Sequence, residues 1–265
     1  MDAASHDKPF VPITTLSPFQ SQIAKCLNSK FYQLNSNYLP LDQKIVFTEN
    51  QVRIFRNLKK HGRKESSLQR LLLDNTLYRL GALIPTEPRV VDIAGCGYDR
   101  FFPVPFKCYH TINIAGEPTF HESAEGECQS VSSDAYHLAL CLNYLLLAQK
   151  PEQVIRNAFR FLAPGGFAIF DFISLTYWVC SRDGYHYQSF TPYGIQQLLA
   201  PVFSEFVLIP IGNWFQGTCN YYAKMFGHFG ILRRSLVLLG KQLGFFDRNP
   251  ASAIHYLVVA RKQTR

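Results

Sequence analysis

From Arg89 onward, short apolar runs rich in β-branched residues alternate with stretches of helical period, and that alternation most constrains the fold. A buried run covers both its faces only when helices lie above and below it, so the pattern predicts a parallel α/β sheet. The candidate strands are Arg89–Ile93, Tyr109–Ile114, Tyr136–Leu142, Phe167–Phe172, Phe206–Ile209 and Ile254–Val259. Between them, Pro151–Leu162 is amphipathic, with Val154, Ile155, Ala158, Phe159 and Leu162 on one face, and Thr191–Leu199 is helical.

The preceding segment reads as helical. Ser17-Pro18-Phe19-Gln20 is a capping box with proline at the first helical position, leading into Phe19, Ile23, Leu27 and Phe31 at i, i+4 spacing. Thr48-Glu49-Asn50-Gln51 is a second box, opening a helix that ends at Lys59-Lys60 before Gly62, and a third helix is expected over Ser67–Leu80. Pro85 and Pro88 mark a boundary. The expected organisation is therefore a helical extension over residues 1–84 and an α/β domain over 85–265, with a helical insertion at 211–253 before the last strand.

With 47% hydrophobic residues in 265, the chain has ample material for a packed core, which excludes wholesale disorder. Its net charge of +8 divides into +6 for residues 1–84, −4 for 85–172 and +6 for 173–265. The seven cysteines contain no Cys-x-x-Cys pair, so neither a zinc site nor a disulfide framework is indicated. The first residues, MDAASHDKPF, lack a secretory pattern, and Phe206–Ala223 is broken by Pro210, Gly212 and Asn213. A cytoplasmic protein is the expectation.

Val90-Val91-Asp92-Ile93-Ala94-Gly95-Cys96-Gly97 closes the first strand in a turn of small residues. Small residues let backbone approach a ligand, and the next helix would offer free N–H groups. The same turn equally serves a tight strand-to-helix junction without a ligand.

The segment from Pro151 to Phe167, which contains Arg160-Phe161-Leu162-Ala163-Pro164-Gly165-Gly166, closely resembles one stretch of the class I S-adenosylmethionine-dependent methyltransferases. There a helix ends in Arg-x-Leu-x-Pro-Gly-Gly before an apolar strand. Arg182-Asp183-Gly184-Tyr185 and the run Phe190-Thr191-Pro192-Tyr193-Gly194-Ile195 resemble the Phe-Thr-Pro-x-Gly-Leu helix of that family's type 11, small-molecule branch. His255-Tyr256-Leu257-Val258-Val259-Ala260-Arg261-Lys262 is similar to its closing strand, so the resemblance covers residues 88–265.

This resemblance implies a Rossmann-like fold with a seven-stranded, mostly parallel sheet whose last strand is antiparallel. It also implies S-adenosylmethionine as cofactor across the carboxyl ends of the first strands. Residue by residue, Asp92, Ala94, Gly95 and Gly97 would form the methionine-side turn. Glu125 would lie near the adenine, with Glu122 the alternative. Asn113 stands where the family has the acidic residue that accepts from the ribose hydroxyls; it still accepts, without charge, and Glu117 is near enough in sequence to substitute. Ala94 and Asp99 replace common glycines, Tyr136-His137 replaces Phe-Asp, and Leu145-Leu146-Leu147 replaces Leu-Glu-His.

Methyl transfer asks mainly for in-line positioning, plus a base where the nucleophile is a hydroxyl or an acidic carbon. The candidate catalytic residues are His186, Tyr185 and Tyr144, with Asp171 as a further one. Each has a plainer reading: a loop histidine for His186, rim packing for Tyr144 and Asn143, a structural pair for Asp171. Cys96 has no base tied to it by any motif.

Arg53, Arg56, Lys59, Lys60, Arg63 and Lys64 form either a solvated helix end or a contact for phosphate, on an anionic membrane or a phosphate-bearing ligand. No RNA-module signature accompanies them, which argues against nucleic acid. The aromatic-rich 211–253 insertion reads as a helical cap, a lid over an apolar acceptor, or a surface resting on lipid. The sequence as a whole reads as a methyltransferase for a small-molecule, glycan or lipid-linked acceptor. The alternatives are a catalytically degenerate binding or assembly protein and an enzyme using the same pocket for other chemistry.

Overall fold

The computed structural model describes residues 11–12, 16–27, 32–33, 68–94, 105–174, 187–226, 230–243 and 253–264. The expected helix at Thr48–Lys60 with its basic residues lies outside them, as do Gly95, Cys96, Gly97, Tyr185 and His186.

Strands β1 (Val11–Pro12) and β2 (Tyr32–Gln33) make a small antiparallel ladder around helix α1 (Pro18–Leu27). The capping box forms as the sequence specifies: Gln20 N donates to Ser17 Oγ at 3.1 Å, and Ser17 N donates to Gln20 Oε1 at 3.0 Å. Helix α2 (Leu68–Leu80) follows, then a single 3₁₀ turn at Gly81–Leu83.

The main elements are β3 (Arg89–Ile93), β4 (Cys108–Ile112), β5 (Tyr136–Cys141), helix α3 (Pro151–Phe161) and β6 (Leu162–Ile173). They continue as α4 (Pro192–Leu199), β7 (Glu205–Ile211), α5 (Trp214–Met225), α6 (Gly230–Leu243) and β8 (His255–Arg261). Thr191 caps α4 through its side-chain oxygen, which accepts from Gly194 N at 3.1 Å.

The sheet order is β4-β3-β5-β6-β8-β7. Strands β4, β3, β5 and β6 pair in parallel, and β8 runs antiparallel to both β6 and β7, so five strands share one direction and one is reversed. The expected seventh strand is absent among the described residues: the sheet has six. Beyond β4 there is one parallel bridge, Ile112 to Phe120. The segment after it, His121-Glu122-Ser123-Ala124-Glu125-Gly126-Glu127, has charged, serine and glycine residues where an extended apolar run would be needed to pair further.

Side chains alternate between the two faces of the sheet. Val90, Leu138, Leu140, Ile169, Val207, Leu257 and Val259 share a core with Phe19, Ile23 and Leu27 of α1 and Leu72, Leu73 and Leu77 of α2. Val91, Ala139, Phe170, Phe172 and Val258 pack on the other face with Val154, Ile155, Ala158 and Phe161 of α3. Helices α1 and α2 thus cover one face of the sheet.

Strand β6 begins five residues earlier than the apolar pattern suggests. Tyr136 pairs with Leu162 and Leu138 with Phe167, so Ala163-Pro164-Gly165-Gly166 bulges out of the ladder. Gly165 has φ +81°, and a Cβ on Gly166 would stand 2.9 Å from the Ala163 carbonyl oxygen and 3.1 Å from that of Tyr136. The glycine pair is therefore a steric requirement of the bulge.

Candidate active site

In chain order the sheet grows outward from β3 to β4, then returns to the other side of β3 for β5. Such a reversal opens a crevice at the carboxyl ends of β3 and β5, the usual ligand position in open α/β sheets. Asp92, Ala94, Asn113, Glu125 and Tyr144 all come from segments at or next to this edge.

Asp92, fully buried in β3, accepts a short hydrogen bond from the Tyr109 hydroxyl of β4. Two residues on, Ala94 has φ +75°, the left-handed region that glycine adopts without strain. Its carbonyl accepts from Asn113 Nδ2 at 3.0 Å, and its N–H donates to Ile112 O at 2.8 Å. Asn113 Oδ1 in turn accepts from the backbone N–H of Ile114 at 2.8 Å and of Ala115 at 3.3 Å. The Asn113 amide therefore ties β3 to the turn after β4, using both of its ends on backbone. Glu117 is exposed beside that turn.

Glu125 and Tyr144, read from the sequence as separate candidates, meet. The Tyr144 hydroxyl donates to Glu125 Oε1 at 3.2 Å, and the Lys150 backbone N–H donates to Oε2 at 2.8 Å. Lys150 precedes α3 and has no side-chain cap of its own, so the Glu125 carboxylate fills that place at the positive end of the helix. Burial, and then the charge of Glu125, push the Tyr144 phenol well above its ordinary pKa, so it is a proton donor here.

The loop carrying Glu125 is held from α3. Asn157 donates to Ala124 O at 2.9 Å and Gly126 O at 2.7 Å. Arg160 donates to the carbonyls of Glu127 and Cys128, both at 2.8 Å, and of Val131 at 3.0 Å. Glu122 points back along the same loop, accepting from Ser130 N and Oγ; the Ser130 hydroxyl is the main reason its carboxyl lies below the usual range. The arginine of the Arg-x-Leu-x-Pro-Gly-Gly stretch is thus a loop anchor.

A buried pair lies farther along the same edge. His255 Nδ1 is 2.7 Å from Asp171 Oδ1, with exposures of 1% and 0%. Because β8 is reversed, its first residue sits at the carboxyl ends of β6 and β7, opposite Ile173 and Ile211. His255 Nε2, Asp171 Oδ2 and both amide atoms of buried Gln216 have no hydrogen-bond partner among the described residues. Gln216 belongs to the first turn of α5, where Asn213 Oδ1 accepts from its backbone N–H at 2.9 Å. His255 was not a candidate from the sequence. The signal available was a carboxylate within Phe170-Asp171-Phe172 and a histidine opening another apolar strand, each lacking an obvious local partner.

Among the described residues no group of His, Cys, Asp and Glu side chains has the arrangement of a metal site. The described residues fit the expected cofactor unevenly. Asp92 and the Ala94 turn stand where the methionine end is expected, and Glu125 retains lone pairs for an adenine-side contact. At the ribose position Asn113 does not fit, since its amide is already engaged.

No family model and no curated protein matches the chain. Solved structures similar to it include a SAM-dependent methyltransferase from Archaeoglobus fulgidus, at 12% identity and TM-score 0.49, covering 79% of this chain and 99% of that one. Another, from Thermotoga maritima, described as a possible histamine N-methyltransferase, has 14% identity and TM-score 0.45, covering 80% and 96%. The 1,6-didemethyltoxoflavin-N1-methyltransferase of Burkholderia thailandensis, with 11% identity and TM-score 0.45, covers 99% and 98%. Identities this low speak of the fold alone, and the chemistry has to be argued from this chain's own residues.

Proposed function

We propose that the protein is an S-adenosylmethionine-dependent methyltransferase acting on a small-molecule, glycan or lipid-linked acceptor. The observation that carries this reading is the reversal of chain order at β3 and β5, whose carboxyl-end segments carry buried Asp92, the left-handed Ala94 turn and the Glu125–Tyr144 pair. The likeness of Pro151–Phe167 and Phe190–Leu199 to the family's stretches supports it from the sequence side.

When bound, the cofactor supplies an activated methyl group on a sulfonium. Asp92, Ala94, Gly95 and Gly97 are proposed to hold the methionine end, Glu125 the adenine side, and Glu117 the ribose side in place of Asn113, whose amide is engaged on backbone. Arg160 and Asn157 keep the Glu125 loop in place. Tyr144 orients by donating its proton, which leaves Tyr185 and His186 as the proposed proton acceptors near the acceptor molecule.

Calorimetric titration with S-adenosylmethionine and S-adenosylhomocysteine tests the reading. Micromolar binding of both is expected, and absence of binding at millimolar ligand would sink it. Asn113 favours a second reading, a methyltransferase-like binding or assembly protein, because its amide is spent on backbone groups. The same titration separates the two.

A further inference from the structure

Eight of the twelve large apolar side chains exposed among the described residues lie between Trp214 and Leu239, on the α5–α6 hairpin. On α6 they form one face. Ile231 (84% exposed), Leu232, Leu238 (59%) and Leu239 recur at i, i+1, i+7 and i+8, an arc about 120° wide at 3.6 residues per turn. An ordinary surface helix turns such a stripe inward and its polar residues outward. Here Gly240 is buried and Leu236 and Val237 are half-buried, while Ile231, Leu232, Leu238 and Leu239 face out.

The charge of the hairpin is equally one-sided. Between Glu205 and Asp247 the sequence contains Lys224, Arg233, Arg234 and Lys241 and no acidic residue. Tyr222 of α5 and Phe226, just past its end, are exposed and stacked, with ring centroids 6.4 Å apart, and tyrosine is an amphipathic aromatic that favours a membrane–water boundary. No helix among the described residues is long and apolar enough to cross a membrane.

From these observations we infer that α6 is an interfacial helix that docks the protein on an anionic lipid bilayer. Its aliphatic face enters the headgroup–acyl boundary, and the cationic residues of the hairpin draw it to negative headgroups. A second copy of the chain is a poorer occupant, because a two-fold contact would set two acid-free cationic hairpins against each other. The inference is independent of the methyltransferase reading, since docking requires neither cofactor nor acceptor.

The test is co-sedimentation of the full chain with phosphatidylcholine vesicles and with vesicles that also contain phosphatidylglycerol, at low and high salt. The protein should pellet with the anionic vesicles, with only partial loss at high salt. Ile231→Asp and Leu238→Asp should each weaken partitioning about tenfold or more. Both positions are exposed, so an unchanged melting temperature separates lost docking from lost fold. Equal pelleting of wild type and both variants, or no pelleting of wild type, overturns the inference. So does light scattering that shows a dimer which Ile231→Asp splits, because the face then belongs to a second copy.

Discussion

His255 and Asp171, 84 residues apart in sequence, hold one another at 2.7 Å inside the sheet, each on a strand whose other buried residues are apolar. Removing one partner strands the other polar group in the core. His255→Ala and Asp171→Ala should each destabilise the fold by about 2–4 kcal/mol. The double variant should lose less than the sum, with a coupling of at least about 1 kcal/mol. Urea unfolding of the four proteins measures this, and additive losses would show that the pair is not coupled.

Ala94 stands in a left-handed conformation that its Cβ disfavours. Ala94→Gly should raise stability by about 0.5–1 kcal/mol, the relieved strain outweighing the added freedom of the unfolded chain. A higher thermal midpoint is the expected result, and a lower one would mean that the turn relaxes without glycine.

Asn113→Asp separates the two functional readings. The substitution retains the acceptor for Ile114 and Ala115 but sets a carboxylate against the Ala94 carbonyl, which should cost about 1–2 kcal/mol. If this position serves the ribose, titration should nevertheless show tighter S-adenosylmethionine binding. Unchanged affinity would count against the ribose assignment.

The Cys128 thiol is pushed up to about 11, first by burial and then by the nearby Glu122 carboxylate, and it donates to Ser123 O at 3.2 Å. The thiolate is the reactive form, so Cys128 should resist iodoacetamide in the native protein near neutral pH and react once unfolded. Peptide mapping reads the difference directly. Rapid native labelling would mean that the Glu125-bearing loop opens.

Glu122 tests the same loop by pH. Its folded carboxyl lies below the ordinary value, so the Ser130 contact stabilises fully above the unfolded pKa and fades as pH falls through the folded one. Thermal midpoints of Glu122→Gln and wild type should therefore differ near neutrality and converge in acid. A gap that persists unchanged at low pH would rule out the charge as its source.

Local signals in the sequence carried the frame. The Ser17–Gln20 box, the α3 stripe and the apolar runs of β3, β5 and β7 are short-range patterns, and each became the element it specified. What escaped depends on partners distant in sequence. Leu162 joins β6 only because Tyr136 offers it a ladder position, and no periodicity in Ala163-Pro164-Gly165-Gly166 announces a bulge. The His255–Asp171 contact required knowing which strands adjoin and in which register. The Asn113 side chain could be identified as an acceptor but not as one already engaged, because its donors lie on backbone whose turn the sequence leaves open.

The position of β8 bears on how the protein is made. Among the described residues, strand β7 has no neighbour in the sheet except β8, and the outer edge of β6 waits for the same strand. During synthesis, both edges stay unpaired until His255–Arg261 clears the ribosome, while the exposed aliphatics of α6 have already emerged. That interval is when a nascent chain with open strand edges is most exposed to mispairing with its neighbours on the polysome.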